Sequence, residues 1–402
     1  MQNRAAYYGL AVVTLLNFLN YIDRYILAAV LPRMQSELGL TNTQAGLLAT
    51  AFLVAYFTTS PIFGVLGDRL SRTRLMALGV SAWSVATAAT GIMQSFGQLM
   101  SARSFVGIGE AAYATISPAL LSDYFRRSQR GRAFAIFYVA IPVGAAVGYL
   151  LGGWIELTLG WRAAFYVVGL LGIVLALLAL TVTDPPRGAT EEAAGAATSQ
   201  PIAVTLRGFA QNGAYIGTVL GSAAYTFAVS GLAFWMPEYL LRVRGVNLSS
   251  ANFMVGSVTV VAGLGGTFVG GYLGDLLSGR MKHGHLWISG LSSIAAIVPT
   301  WFALTVGSAP GYVVWLFVAE FLLFLSTGPV NVAIVSVVPI GARAMAMAVS
   351  IFTIHLLGDA ISPPIIGVLA DISSLARAVL IIPAAVAVSG LLWIATAVGT
   401  AE

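Results

Sequence analysis

Four ionisable residues stand where the surrounding sequence offers them no water. Asp23 and Arg24 interrupt an apolar run from about residue 7 to 31, and Arg103 and Glu110 interrupt another from about 98 to 121. An unpaired charge in hydrocarbon costs on the order of several kcal/mol, so each of these groups needs polar partners. At about 100° per residue, Asn17, Asn20 and Arg24 share one helix face with Asp23 beside it. Arg103 and Glu110 are seven apart and also share a face, with Tyr113 about one turn further on. A carboxylate beside a guanidinium stays ionised; deprived of it in an apolar medium, it takes up a proton. Such a set couples proton uptake to whatever moves the Arg, either a conformational change or a substrate. Glu110 is the first candidate for the proton carrier and Asp23 the second. Arg24 is the switching counter-ion or the partner of an anionic substrate. The competing reading is a static ion cluster that fixes helix packing.

The elements that must hold these groups follow from composition. The chain has 402 residues, 58% of them hydrophobic and 9% charged, with mean hydropathy +0.89. A soluble domain carries about 25% charged residues, so a water-soluble fold is excluded. A spanning helix needs roughly 20 mainly apolar residues, and twelve such runs can be marked. They cover about 7–31, 43–66, 75–95, 98–121, 131–155, 161–182, 212–237, 249–273, 285–306, 311–337, 344–369 and 376–398. An even number puts both termini on one side. With that side cytoplasmic, thirteen Arg and Lys fall in inner segments and five, Arg33, Arg162, Arg242, Arg244 and Arg377, in outer loops. This asymmetry predicts cytoplasmic termini. Asp23 and Arg24 also argue that the first run is a retained helix, not a signal peptide. The net charge of +5 comes from basic residues spread between apolar runs, which predicts topology and no nucleic-acid partner. The chain has no Cys, which excludes thiol catalysis and thiolate metal sites. No metal site or cofactor is implied.

The longest polar interruption, Thr183 to about Leu206, begins Asp184-Pro185-Pro186 and continues in Ala, Thr, Glu, Gly and Ser. It reads as a cytoplasmic linker between an N-terminal bundle, 1–182, and a C-terminal bundle, 207–402. The halves repeat. Gly64, Leu66, Gly67 and Asp68 return as Gly271, Leu273, Gly274 and Asp275, 207 residues on, and Pro118 and Arg132 return as Pro329 and Arg343, 211 on. The expected fold is an all-α membrane protein with twelve transmembrane helices in two pseudo-symmetric six-helix bundles, an architecture of secondary transporters.

The loop Gly64-Val65-Leu66-Gly67-Asp68-Arg69-Leu70-Ser71-Arg72-Thr73-Arg74 resembles the signature of the major facilitator superfamily. The resemblance implies that Asp68 faces a helix start in the other half and latches an inner gate, favoured by the helix dipole. Arg69 belongs to the same loop, Asp275 to its repeat, and Arg72 is expected to pair with Asp123 at the inner end of the fourth span. The plainer reading makes these arginines topogenic. The fifth span holds Pro142, Gly144, Gly148, Gly152 and Gly153, a stripe that permits close approach and bending. In the second half, His355 and Asp359 share a face and either line the pathway or serve structure, as does Glu320 in the tenth span.

Several stretches resemble the Spinster branch of that superfamily. They include Asn20-Tyr21-Ile22-Asp23-Arg24-Tyr25, Val106-Gly107-Ile108-Gly109-Glu110-Ala111 after Arg103, Ile141-Pro142-Val143-Gly144, and His355-Leu356-Leu357-Gly358-Asp359 with Ser362-Pro363. The resemblance implies that Asp23, Arg24 and Glu110 form a proton-coupling cluster and that the cargo is an amphipathic lipid such as a sphingolipid or lysophospholipid. It implies a multi-pass protein of the bacterial inner membrane, acting as a monomer among membrane lipids. Arg24, Asn20, Tyr113, Arg103, His355, Asp359 and Glu320 are the candidate substrate residues. Efflux of a drug or organic anion by the same fold is the alternative. An intramembrane enzyme would need a nucleophile with its base, or a metal cluster, which the three histidines do not supply; a channel is at odds with a two-half repeat and a latch.

Overall fold

The computed structural model describes residues 2–187, 202–339 and 342–399, and among them all regular secondary structure is helical. The helices are α1 (Gln2–Leu38), α2 (Asn42–Arg69), α3 (Arg72–Thr90), α4 (Phe96–Tyr124), α5 (Arg127–Leu159), α6 (Trp161–Ala179), α7 (Ile202–Gln211), α8 (Gly213–Arg242), α9 (Leu248–Ser278), α10 (Gly284–Thr305), α11 (Ala309–Phe324), α12 (Thr327–Ser336), α13 (Arg343–Leu357), α14 (Ser362–Ile372), α15 (Leu375–Ala378) and α16 (Ile381–Gly399). Ten stretches are long and apolar enough to cross a bilayer. Helices α3 and α4 fall below that measure because Arg, Glu, Ser, Thr and Gly dilute their apolar residues. Each of the twelve expected runs is helical.

Three runs are broken rather than continuous. The tenth divides into α11 and α12 at Leu325 and Ser326, where the backbone of Gly270 in α9 abuts the Leu325 carbonyl too closely for any side chain. The eleventh divides between Leu357 and Ser362, just ahead of Pro363-Pro364. Proline has no N–H to continue the ladder and suits the first turn of a new helix, so α13 stops and α14 starts there. The twelfth opens with the single turn α15 and resumes as α16 at Ile381.

The chain forms two compact units, Met1–Ala194 with Val246–Gly256, and Gly195–Gly245 with Ser257–Glu402. In the first, α1 packs chiefly on α5, α2 on α4, and α3 on both α4 and α6. Its helix starts are capped from sequence: Thr41 and Gln44 form a reciprocal capping box on α2, Ser71 accepts from the Arg74 amide on α3, and Ser95 accepts from the Gln98 amide on α4. Gly160, with φ +83°, makes the turn from α5 to α6. In the second unit α16 packs on α8 and α10, and indole and hydroxyl donors tie helices to backbone carbonyls: Trp393 to Thr218, Trp235 to Pro363, Tyr215 to Ala346 and Ser362 to Phe227.

Residues 188–201 of the expected linker lie outside the described residues. Its last part is not loop: α7 begins at Ile202, and Phe209 packs its ring 4.8 Å from Tyr215 beside Ile334, Val338 and Ala346. At ten residues α7 is half the length of a span, which hides it from a search for spans.

Candidate functional site

Small residues set the depth of the site. In α4, a Cβ on Gly107 would collide with the Phe52 carbonyl of α2, and one on Gly109 would lie 2.6 Å from both the Gly79 oxygen and the Trp83 nitrogen of α3. The backbone of α4 therefore sits directly against two neighbours, and the next residue, Glu110, is fully buried. Arg24 reaches it from α1. Its Nε and Nη2 both lie 2.9 Å from one oxygen, Oε2, of Glu110. The guanidinium is also boxed by rings, 4.9 Å from Phe52, 5.3 Å from Tyr21 and 5.4 Å from Tyr56. Phe52 is shared, because the Arg103 guanidinium stands 5.0 Å from its centre.

Asp23 takes the other side of α1. It is fully buried, its Oδ2 accepts from the Thr87 hydroxyl of α3 at 2.7 Å, and Arg103 lies within electrostatic reach. Two carboxylates and two guanidiniums thus share one pocket with their charges balanced. Their hydrogen bonding is incomplete: Oδ1 of Asp23, Oε1 of Glu110, Nε of Arg103 and Nδ2 of Asn20 are buried without partners. Asn20 lies beside Glu110. Buried polar groups are normally paired, and unpaired ones mark a site where another partner is expected.

The structure gathers Asp23, Arg24, Asn20, Arg103 and Glu110 and sets Tyr113 apart. The Tyr113 hydroxyl donates to the Val13 carbonyl at 2.6 Å and its ring packs edge-on against Trp83, so it is committed to helix packing. Asn17 is likewise committed, donating to the Phe137 carbonyl of α5 at 3.0 Å. Tyr21, Phe52, Tyr56 and Thr87 are site residues that sequence reasoning missed; one aromatic or Thr among many in apolar helices carries no distinguishing signal. In the second unit, Glu320 is buried beside Thr259 and Tyr225, with its Oε2 lacking a partner. His355 and Asp359 form an i,i+4 pair, Nδ1 to Oδ2 2.8 Å.

At the end of the first unit where α2 gives way to α3, Arg72 is buried and clamped. It bonds Asp123 of α4, Oδ1 of Asp184 at 2.8 Å and the Pro185 carbonyl, while its own amide donates to Asp184 Oδ2. Arg187 donates to the Gly67 and Leu70 carbonyls, finishing α2. Asp184 and Arg187, read from sequence as linker, are thus part of the bundle. Asp68 and Arg69 are exposed, and Asp68 lines a cavity of about 390 Å³ with Arg72, Asp123 and Arg187. In the repeat, Asp275 is exposed and lies 3.4 Å from Nε2 of His285, whose Nδ1 meets Ser278.

Ten helical stretches long and apolar enough to cross a bilayer, with Asp23, Arg103 and Glu110 buried among them, mark an integral, multi-pass membrane protein. The family described as Major Facilitator Superfamily matches residues 13–356. Protein spinster homolog 1 of Homo sapiens is 35% identical over 385 residues, covering 90% of this chain and 72% of that protein. The sphingosine-1-phosphate transporter SPNS2 of Danio rerio is 32% identical over 412 residues, covering 95% and 82%. The fold matches the crystal structure of a bacterial homolog to the human lysosomal transporter Spinster, in an inward-facing and unoccupied conformation, with TM-score 0.84, 23% identity and coverage of 98% and 96%. A D-xylose-proton symporter matches with TM-score 0.79 and 16% identity over 96% and 97%. The chain belongs to the Spinster family of major facilitator transporters, a family of carriers and not of enzymes.

Proposed function

We propose that this chain is a proton-coupled secondary transporter working by alternating access, and that its cargo is an amphipathic lipid with an anionic head, such as a sphingolipid or lysophospholipid. The single observation that carries the reading is the sharing of Arg24. Its Nε and Nη2 meet one oxygen of Glu110, while the other oxygen and the neighbouring Asp23 Oδ1 have no hydrogen-bond partner. An anionic head drawn to Arg24, with Arg103 and Asn20 beside it, competes with Glu110 for the guanidinium. A carboxylate that loses its cation in a low-dielectric pocket is left costly and takes up a proton. Arrival of the anion and of H⁺ are then linked. With both carboxylates ionised the pocket is balanced; protonating one leaves a net positive charge that suits the anion.

In this proposal Glu110 is the first proton carrier and Asp23 the second. His355, Asp359 and Glu320 are the candidate substrate residues of the second unit, and Tyr113, with its hydroxyl engaged, is left out. Asp68, Arg69, Arg72, Asp123 and Asp275 form the inner gate. The protein acts as a monomer in a bacterial inner membrane with both termini in the cytoplasm. The lipid cargo is supported by the sphingosine-1-phosphate transport named for SPNS2, a relative across 95% of this chain.

The test is transport in proteoliposomes under an imposed pH gradient, across lysolipids, sphingoid phosphates, organic anions and cationic drugs. Glu110→Gln or Asp23→Asn abolishes the dependence on the gradient while the protein stays folded. Wild-type pH dependence in both variants overturns the coupling assignment. Transport of a drug or organic anion in preference to every lipid overturns the cargo.

A further inference from the structure

One helix of the second unit takes no part in that mechanism. Helix α7, Ile202–Gln211, is too short to span and is followed, after the single residue Asn212, by the spanning helix α8. The chain turns at that residue. In one continuous helix Phe209 and Tyr215 would stand about 9 Å apart along the axis and about 120° apart around it, yet their rings meet at 4.8 Å. Asn212 makes the turn. Its amide donates to the Phe209 carbonyl at the end of α7, its Oδ1 accepts from the Tyr215 amide at the start of α8, and its Nδ2 donates to the Val337 carbonyl.

Phe209 is thereby seated where three spans begin or end. It is buried beside Tyr215, Ile334, Val338 and Ala346, and the apolar stretches around it run Gly213–Arg242, Ala309–Ser336 and Met345–Ile372. The level of Phe209 is therefore the edge of the hydrocarbon. Around α7, Ile202 and Leu206 lie about 20° and 60° from Phe209. They carry its apolar face about 10 Å further along the helix, and both are exposed, by 63% and 41%. Arg207 and Gln211, each about 160° from Phe209, make the opposite face and are exposed too. Val204 lies beside them, a single exposed apolar residue of the ordinary kind. A helix divided in this way at the hydrocarbon edge rests with its apolar side among the acyl chains and its polar side among head groups and water.

We propose that α7 is a surface anchor of the second unit, and that the partner of its open apolar face is the bilayer at the head of α8. Ile202 and Leu206 enter the acyl region and Arg207 stays with the head groups. Phe209 joins the anchor to the ends of α8, α12 and α13, so α7 fixes the depth of all three. The inference is independent of the cargo and of proton coupling.

The chain has no Cys, so Ile202→Cys, Leu206→Cys, Arg207→Cys and Gln211→Cys variants of the full chain, in nanodiscs, each carry one nitroxide. The relaxing agents are oxygen, which partitions into acyl chains, and a water-soluble nickel chelate. Oxygen outweighs nickel at the positions of Ile202 and Leu206, and the order reverses at those of Arg207 and Gln211. Equal nickel access at all four overturns the anchor. Exclusion of both agents from the Ile202 and Leu206 positions overturns the bilayer as occupant and assigns the face to protein. With the label at the Ile202 position, Leu206→Glu raises nickel access to the level seen at Gln211, whereas Gln211→Glu, the same charge on the other face, leaves it unchanged. Equal responses to the two overturn the seating of that face. Thermal unfolding near wild type shows that the variants remain folded.

Discussion

At the scale of the residue, Arg24 does three jobs that a simple cation could not combine. It pairs with Glu110, lies against three aromatic rings and shares Phe52 with a second guanidinium. Removing one partner of a buried ion pair costs about 3–5 kcal/mol, chiefly because the other charge is stranded. Arg24→Ala is therefore expected to lower the thermal unfolding midpoint sharply, as is Glu110→Ala. The double variant strands neither charge and recovers much of the loss, read as a non-additive double-mutant cycle. Strict additivity would mean that the two groups do not support one another. The pairing partners were visible in the sequence as charges that needed each other; that both nitrogens use a single carboxylate oxygen was not, since it depends on how α1 is rotated toward α4.

At the scale of the element, α4 depends on the two glycines that precede its carboxylate. They were legible as part of a family motif, but their purpose is steric, since each stands against another helix's backbone. Backbone cannot move aside as a flexible side chain can, so even a methyl group forces α4 outward. Gly107→Ala is expected to cost about 1–3 kcal/mol or more and to reduce the folded yield recovered in mild detergent. Gly97→Ala, at a position with nothing within 4 Å of the added carbon, is the control and behaves as wild type. Equal loss from both would remove the contact with α2 as the cause, since Ala is by itself the better helix former. The breaks in the tenth and eleventh runs have different legibility: the second is announced by Pro363-Pro364, whereas the first is imposed by α9 packing on Leu325.

At the scale of the whole molecule, Arg72 joins the α2–α3 turn, the end of α4 and the start of the linker. Arg72→Ala leaves Asp123 and Asp184 facing each other and is expected to destabilise by about 3–5 kcal/mol. Arg72→Lys recovers only part, because an ammonium cannot reproduce the fork of a guanidinium. Exposed Arg69→Ala is near neutral in the same thermal assay, and parity between Arg69 and Arg72 would remove the clamp from the account. Orientation is tested on the same scale. Since the chain has no Cys, single Gly97→Cys and Arg280→Cys variants report cleanly. An impermeant maleimide applied outside intact cells should label the first and not the second; the reverse pattern inverts the topology.

Composition, the Arg and Lys asymmetry and the internal repeat determined by themselves that this is a polytopic membrane protein of repeated halves, because hydrocarbon admits so few ways to satisfy a backbone. They also marked Asp23, Arg24, Arg103 and Glu110, since a charge in an apolar run has no neutral explanation. Only the tertiary structure decided which atoms meet. It turned Tyr113 and Asn17 to packing, recruited Tyr21, Phe52, Tyr56 and Thr87, and drew Asp184 and Arg187 out of the linker. Those outcomes depend on helix rotation and backbone approach, fixed by contacts between residues as much as 120 positions apart, and no local pattern of residue types encodes them.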